Sequence, residues 1–211
     1  MRTVLRWDGF ARTWRRCVRI DTVAGHDEGT RPMDIRPTIA RQTIALIAFL
    51  AIVALVAFLG SLASSSNADG WYAGVEKVPW DPPNAVFGPV WSVLYGLIAL
   101  AGWLIWRAGW LIWRAGYRPG KPNAARRALT WFIVQLVLNG LWTPAFFAAY
   151  PVLGEPAWWI ALAVIVALIG AVVALAIAAR QWSRIAAWLM LPYLAWLLFA
   201  TTLNIGIIAL N

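Results

Sequence analysis

Aromatic side chains are the groups in this sequence whose types and spacing could bind a ligand, since 16 Trp, 8 Phe and 5 Tyr occur in 211 residues. Trp71, Tyr72 and Trp80 fall in one short segment that also contains three prolines. Because proline fixes the backbone angle φ, this segment is predicted to form a stiff aromatic lid. A belt of Trp and Tyr at a membrane interface is the alternative interpretation.

Further aromatic and amide side chains are spaced so that they share helical faces. Phe87, Trp91 and Tyr95 recur every four residues, which places them on one stripe of a helix. Two later segments show similar spacing, and their members are Gln135, Asn139, Trp142 and Phe146 in the first and Tyr193, Trp196, Ala200 and Asn204 in the second. Amides within a membrane must face protein or a cavity. Hydrogen bonding between helices and ligand binding are therefore both open interpretations of these amides.

Residue types that would support other chemistry are missing from most of the sequence. The only His, His26, and the only Cys, Cys17, both lie near the N-terminus. The spanning part is therefore predicted to hold no metal cluster, no Cys or His nucleophile and no His that could ligate haem. A single Cys also excludes an intrachain disulfide. No carboxylate pair lies in an apolar segment and no Gly-rich phosphate loop occurs, which argues against hydrolysis and ATP-driven transport.

The composition is that of an integral membrane protein. Hydrophobic residues make up 62% of the chain and charged residues 13%, and the mean hydropathy is +0.67. So few charges cannot cover the surface of a soluble domain of this length. The net charge of +9 does not indicate a nucleic-acid partner, because 8 of the 18 basic residues lie within the first 36 positions and most others fall between apolar runs.

Five apolar segments are each long enough to cross the hydrocarbon core as a helix, which takes about 20 residues. Backbone groups in lipid must be paired within the segment, and no segment alternates as a barrel strand does. The predicted fold class is therefore all-α, an integral membrane bundle of five transmembrane helices. Its spans are residues 38–63, 84–106, 128–149, 157–179 and 185–209. Pro144 and Pro192 are expected to kink the third and fifth helices.

The basic residues predict the orientation of the chain. Lys and Arg concentrate before the first span and in the second and fourth connections, whereas the first and third connections contain only Lys77. This pattern places the N-terminus inside and the C-terminus outside, and we expect a bacterial envelope membrane. Residues 1–32 are basic and lack a long apolar run, so they are predicted to be an extension that the fold does not need; an interfacial amphipathic helix is the alternative. Residues 33–211 then form the five-helix transmembrane domain.

A tandem repeat of seven residues, GWLIWRA, occupies positions 102–108 and 109–115. Because seven residues turn a helix almost a whole number of times, the second copy is predicted to extend the second helix by about 10 Å and to preserve its face. We interpret the repeat as a local duplication without a function of its own.

Three motifs, in order along the chain, resemble those of the tryptophan-rich sensory protein / mitochondrial translocator protein family, also known as the peripheral benzodiazepine receptor. They are WYAGVEKVPWDPPNAVFGPVWSVLY at 71–95, QLVLNGLWTPAFF at 135–147 and LPYLAWLLFATTLN at 191–204. The resemblance covers about residues 34–211. It implies a five-helix bundle, commonly a homodimer, with a cavity beneath the first loop that takes porphyrins and synthetic aromatic ligands. The positions matching the family's motifs are Trp71, Tyr72, Trp91, Tyr95, Asn139, Trp142, Trp196 and Ala200.

The function expected from these observations is that of a membrane receptor or carrier for tetrapyrroles, with no obligatory cofactor. Stacked aromatics would hold a flat macrocycle, and Lys77 would supply a cation for its carboxylates. The candidate ligand-binding residues are Trp71, Tyr72, Lys77, Trp80, Phe87, Trp91, Tyr95, Asn139, Trp142, Phe146, Tyr193, Trp196 and Ala200. Cholesterol is a doubtful partner, because the animal pattern needs a basic residue after the Tyr of the fifth helix and none follows Tyr193.

Two alternative functions remain open. Some family members are reported to degrade protoporphyrin under light and oxygen, and that resemblance implies catalytic roles for Trp91 and Trp196. The other alternative is a regulatory membrane partner whose ligand is a signal. A ridge of small residues on the fourth helix, Ala163, Ala167 and Ala171, could pack the expected homodimer closely.

Overall fold

The structure is a computed structural model that describes residues 38–114 and 124–211, excluding the side chains of residues 66, 110–114 and 124. The predicted N-terminal extension, residues 1–32, lies outside the described residues. So does the last residue of the repeat, Ala115. Whether the fold needs residues 1–32 therefore stays a prediction.

Five long helices confirm the all-α membrane fold, and the described residues contain no strand. All five helices are long and apolar enough to cross a membrane. They are α1 (Ile39–Ala68), α2 (Asn84–Arg114), α3 (Ala124–Thr143), α4 (Pro156–Ala179) and α5 (Arg184–Leu210). We call the end of the bundle that carries residues 69–83, between α1 and α2, the loop end. The opposite end, where α2 ends, α3 begins and the α4–α5 connection lies, is the basic end.

Local signals explain where the helices begin. The Thr38 side chain accepts a hydrogen bond from the backbone N–H of Arg41 at 3.4 Å, and Ser183 caps α5 by accepting from Ala186 N–H at 3.1 Å. Pro156 opens α4, where the missing N–H removes no helical bond. Just before it, Gly154 has a φ of 67° and closes a single helical turn at Tyr150–Leu153.

The two prolines expected to kink helices behave differently from each other. Pro144 begins a π-helical turn, Pro144–Ala148, that continues from α3 at the loop end. Its carbonyl accepts from the backbone N–H of Ala149 at 2.9 Å, so the chain turns through a wider ring here. Helix α5, in contrast, continues through Pro192. The irregularity at Pro144 places Phe146 and Phe147 beside the loop between α1 and α2.

The helices pack in a closed ring, in the order α1, α2, α5, α4, α3 and back to α1. The approach is closest toward the basic end. A Cβ on Gly102 of α2 would lie 2.7 Å from the Phe132 ring and 2.8 Å from the Phe49 ring, so glycine lets three helices meet there. The main apolar core occupies this part of the bundle, around Ile98, Ile105 and neighbouring buried residues.

The heptad repeat extends α2 as predicted. Helix α2 has 31 residues and runs to Arg114, beyond the predicted end at 106. The first glycine of the second copy, Gly109, lies against α3, since a Cβ there would be 2.7 Å from Cβ of Ala125. On α4, Ala163 and Ala167 are exposed, but Ala171 is only 3% exposed and belongs to the interior. Ala171 therefore cannot belong to a small-residue ridge on the outer surface, and that part of the prediction is wrong. The homodimer stays a prediction.

Candidate ligand-binding cavity

A cavity of about 460 Å³ lies at the loop end of the bundle. Helices α1, α2 and α5 supply most of its wall, and the end of α3 with its π-helical turn and one residue of the first loop supply the rest. Its lining residues are Ala57, Gly60, Ser61, Ser64, Ala68, Tyr72, Asn84, Phe87, Gly88, Trp91, Ser92, Tyr95, Trp142, Thr143, Phe146, Phe147, Trp196, Ala200, Leu203, Asn204 and Ile207. Eight of the thirteen predicted ligand-binding residues belong to this lining.

Aromatic rings from three helices meet at the cavity. On α2, the rings of Trp91 and Tyr95 have centroids 5.1 Å apart and are tilted by 31°. Phe87 contacts Trp196 of α5 edge-to-face at 5.8 Å. On the α3 side, Trp142 and Phe146 are stacked at 5.4 Å with an angle of 20° between the rings. The stripe predicted on α2 thus faces a cavity that indoles from α3 and α5 also line.

A hydrogen-bond chain joins three helices through Asn139. The Tyr95 hydroxyl of α2 donates to Asn139 Oδ1 at 3.0 Å, and Asn139 Nδ2 donates to the Tyr193 hydroxyl of α5 at 2.8 Å. Asn139 and Tyr193 were predicted to contact the ligand, but neither lines the cavity, and Tyr193 is 0% exposed. These two residues instead hold the Tyr95 ring in place. Of the two interpretations of Asn139, hydrogen bonding between helices is therefore the one that matches its contacts.

Tyr72 is the only residue of the first loop, 69–83, that lines the cavity. Lys77 Nζ lies 4.1 Å from the centroid of its ring, a cation–π contact. Burial raises the pKa of Tyr72 to about 12, and the charge of Asp81 adds to this shift. Burial also raises the pKa of the Asp81 carboxyl, and the Lys77 charge opposes that effect. The predicted cation Lys77 therefore lies one aromatic ring away from the cavity.

The two Trp residues predicted in the lid anchor the loop instead of lining the cavity. Trp71 packs on Tyr150 with centroids 4.1 Å apart, and its Nε1 donates to the carbonyl of Phe147 at 3.2 Å. Trp80 is 56% exposed and donates from Nε1 to Thr202 Oγ1 on α5 at 3.3 Å. The N–H group of each indole therefore forms a hydrogen bond that attaches the loop to the bundle.

Two further contacts attach the loop to the end of α5. Asn211 forms two hydrogen bonds with the backbone of Glu76. Its Oδ1 accepts from Glu76 N–H at 3.0 Å, and its Nδ2 donates to the Glu76 carbonyl at 3.0 Å. Val78 lies directly against Gly206, where a Cβ would clash with Val78 Cγ1. The loop residues 71–80, which we call the lid, are thus attached both to the π-helical turn and to α5. Of the three aromatic residues predicted in the lid, Tyr72 lines the cavity and Trp71 and Trp80 do not.

The contribution of α1 to the site was not foreseen from the sequence. Its cavity face consists of small residues, Ala57, Gly60, Ser61, Ser64 and Ala68. The signal was present, since small side chains recur there every three or four residues, but the aromatic motifs do not include α1. Asn204 of α5 also lines the cavity, and with its amide oriented to satisfy both ends, Nδ2 donates to Trp158 O at 3.2 Å and Oδ1 accepts from Leu162 N–H at 3.3 Å.

The site offers binding surfaces but few reactive groups. In the part of the chain that the structure describes, no three His, Cys, Asp or Glu side chains come together in a way that could hold a metal ion. Asn and Ser side chains supply most of the polar lining. What the arrangement can do is enclose a flat apolar molecule among indole and phenol rings.

A five-span integral membrane protein with an aromatic cavity beneath its first loop is the class that these features define. The chain belongs to the TspO/MBR family, whose model matches residues 48–210. It is 39% identical to the human translocator protein over 134 residues, covering 64% of this chain and 70% of the relative. It is 37% identical to the tryptophan-rich protein TspO of Archaeoglobus fulgidus over 169 residues, covering 80% and 97%. It is 33% identical to the tryptophan-rich sensory protein of Cereibacter sphaeroides over 148 residues, covering 68% and 78%.

Proposed function

We propose that this protein is a receptor or carrier that binds porphyrins and related flat aromatic molecules in its loop-end cavity, in a bacterial envelope membrane. The observation that carries the proposal is the convergence of Trp91, Trp142 and Trp196, from three different helices, on one cavity. Its volume of about 460 Å³ falls within the range of about 300–1,000 Å³ typical of small-molecule sites. Rings that can stack on or meet the edge of a planar ligand favour a conjugated macrocycle over a flexible chain.

The affinity available from such a site is in the micromolar range. A planar ligand that buries about 500 Å² of apolar surface gains about 12 kcal/mol. Losses of about 4 kcal/mol or more in translational and rotational freedom reduce this to about 8 kcal/mol, which corresponds to a Kd of about 1 μM. Lys77, next to the Tyr72 ring, favours ligands that carry carboxylates near the lid.

Quenching of Trp fluorescence during titration with protoporphyrin tests the proposal. The informative variant is Trp91→Leu, because Trp91 lines the cavity. Its matched control is Trp188→Leu, since Trp188 is 69% exposed near the start of α5. Loss of one stacking ring is expected to raise the Kd about tenfold in the first variant. Equal affinities in both variants would contradict the proposed site.

A light-dependent enzyme is the second candidate function, because both residues it would require, Trp91 and Trp196, line the same cavity. The bound pigment would absorb the light, and the indoles would transfer electrons to or from it. Trp91→Phe and Trp196→Phe keep an aromatic ring at each site and remove the indole. If the protein takes part in the chemistry, these variants will bleach protoporphyrin more slowly than the wild type under light and oxygen. Equal bleaching at equal occupancy would leave binding as the only role.

A further inference from the structure

Helices α1 and α2 touch at the basic end and separate at the loop end. The face of α2 that points to α1 contains Gly88, Ser92, Gly102 and Trp103. Near the basic end this face is closed, because Trp103 Nε1 donates to the carbonyl of Gln42 on α1 at 3.1 Å. At the loop end it is open, since a Cβ on Gly88 would meet nothing within 4 Å.

Helix α1 leans on α3 where it leaves α2. A Cβ on Gly60 of α1 would lie 3.5 Å from Thr143 Oγ1, and a Cβ on Gly140 of α3 would lie 3.6 Å from Val56 Cγ1, which are ordinary packing distances. Small residues in membrane helices usually allow two helices to approach closely. Between α1 and α2 they do not, so the small side chains leave an opening. We call this opening the α1/α2 gap, and its edges are Ala57, Ser61 and Ser64 on α1 and Gly88 and Ser92 on α2.

The gap opens at membrane depth, whereas the lid covers the loop end. The candidate spans run from Ile39 to Ser65 and from Asn84 to Gly109. At 1.5 Å per residue, Ser61 and Gly88 lie about 6 Å inside their spans and Ser92 about 12 Å inside. The lid above is attached to α5 and to the π-helical turn at several points. The gap therefore lies at the depth of the hydrocarbon, and the lid lies at the end that faces water.

The edges of the gap are polar enough to let a polar group pass. Ser92 Oγ donates to the carbonyl of Gly88 at 2.8 Å, and Ser64 Oγ donates to that of Ser61 at 3.3 Å. Each hydroxyl proton is thus satisfied within its own helix, and each oxygen can still accept a hydrogen bond. An edge of this kind fits a flat molecule with large apolar faces and a few polar substituents, rather than a hydrocarbon chain.

We propose that ligands reach the cavity sideways from the loop-end leaflet through the α1/α2 gap, so that the protein selects planar amphiphiles already dissolved in the membrane. The inference rests on the proposed function, since it supplies the route for the ligand bound there. The lid then retains the ligand and shields it from water, and the passage of ligand does not require the lid to open.

A spin-label experiment tests the gap without any ligand. A nitroxide label is attached to a single cysteine in the full chain, in which Cys17→Ser removes the native cysteine. The labelled variants, studied in nanodiscs, are Ser61→Cys, Leu62→Cys and Val53→Cys. Leu62 is 56% exposed on the outer face of α1 and Val53 is 2% exposed, so they serve as the lipid-facing and buried controls. The label at residue 61 is expected to collide with oxygen as often as the label at 62 and rarely with a water-soluble nickel chelate. Exclusion from both reagents, or a preference for the nickel chelate, would overturn the inference.

Kinetics with protoporphyrin give the second test. Gly88→Leu and Ser92→Leu each narrow the gap, whereas Gly96→Leu adds the same side chain to α2 at an exposed glycine that does not line the cavity. Closing a route slows association and dissociation together, so we expect both rates to fall about tenfold or more, whereas a change that only weakened binding would speed dissociation. The control should keep the wild-type rates.

Two outcomes separate this inference from the proposed function. If Gly88→Leu and Ser92→Leu keep wild-type rates while Asn211→Ala, which releases the lid at Glu76, speeds both rates, ligands pass beneath the lid and the inference is wrong. If the wild type does not bind protoporphyrin at all, the proposed function fails. The spin-label result then decides by itself whether the gap opens to the hydrocarbon.

Discussion

Gly206→Ala is expected to lift the lid from α5. A Cβ at Gly206 would clash with Cγ1 of Val78 and would lie 3.5 Å from its Cβ and 3.6 Å from its Cγ2. All three contacts are with the side chain of one lid residue, so Val78 must shift away from α5 to remove them. Overpacking of this kind costs about 1–3 kcal/mol. If the cost falls on the closed lid, the population of the open lid rises about 5- to 150-fold.

Trypsin cleavage after Lys77 measures the open population. Lys77 is the only Lys or Arg in residues 69–83, and it lies partly buried over Tyr72. When the lid opens and closes faster than it is cut, the cleavage rate follows the open fraction. The experiment uses the full chain in nanodiscs, and mass spectrometry detects the new N-terminus at Val78. The rate at which this N-terminus appears reports the change in the open fraction.

A matched control separates the clash from the general effect of alanine in a helix. Gly170→Ala on α4 places the same methyl group where nothing lies within 4 Å. Trypsin is expected to cleave this variant after Lys77 at the wild-type rate. If Gly206→Ala is cleaved no faster than Gly170→Ala, the contact between Val78 and Gly206 does not hold the lid, and the reasoning is refuted.

Four further outcomes follow from the structure. Asn139→Leu leaves the Tyr193 hydroxyl, which is 0% exposed, without its partner, so thermal unfolding in detergent should show a loss of about 1–3 kcal/mol; unchanged stability would contradict the role given to the chain of hydrogen bonds. The raised pKa of Tyr72, about 12 in the folded protein, means that the neutral phenol stabilises the lid fully below the unfolded value of about 10 and that this contribution is lost as the pH rises toward 12. Thermal unfolding in detergent should therefore show a loss of stability over that range in the wild type and not in Tyr72→Phe. Deleting one GWLIWRA copy, residues 109–115, should leave porphyrin affinity unchanged, because the cavity lies at the other end of α2; a weaker Kd would show that the repeat supports the site. A reporter fused after Asn211 should read as non-cytoplasmic if the basic end faces inside, and a cytoplasmic reading would contradict the orientation predicted from the basic residues.

The membrane fold was predictable because its signal is carried by composition and segment length. Apolar runs of sufficient length can form only helices in lipid, and all five appear close to their predicted positions. The π-helical turn at Pro144 was not predictable in detail. Proline removes one hydrogen bond, but whether the chain responds with a kink, as expected, or with a wider turn depends on neighbours such as Trp71, which takes the Phe147 carbonyl.

The cavity residues were predictable on helices, where the spacing along the sequence determines which side chains point in the same direction. Phe87, Trp91 and Tyr95 share a stripe, so once one faces the centre all three do. The lid was harder, because its residues have no periodicity and each contact depends on a distant partner. Trp71 and Trp80 have the same side chain as Trp91, yet they anchor the loop to Phe147 and to Thr202.

The layer formed by Tyr95, Asn139 and Tyr193 lies between the apolar core around Ile98 and Ile105 and the cavity. On its basic side, Gly102 lets α1, α2 and α3 close on a packed core. On its loop side, α1 separates from α2, and aromatic rings and small residues make up most of the cavity lining. Because the three polar groups are bonded in series at 3.0 and 2.8 Å, they set the spacing of α2, α3 and α5 at the level where the cavity begins. A change in this layer should therefore alter both stability and ligand affinity, whereas a change deeper in the core should alter stability alone.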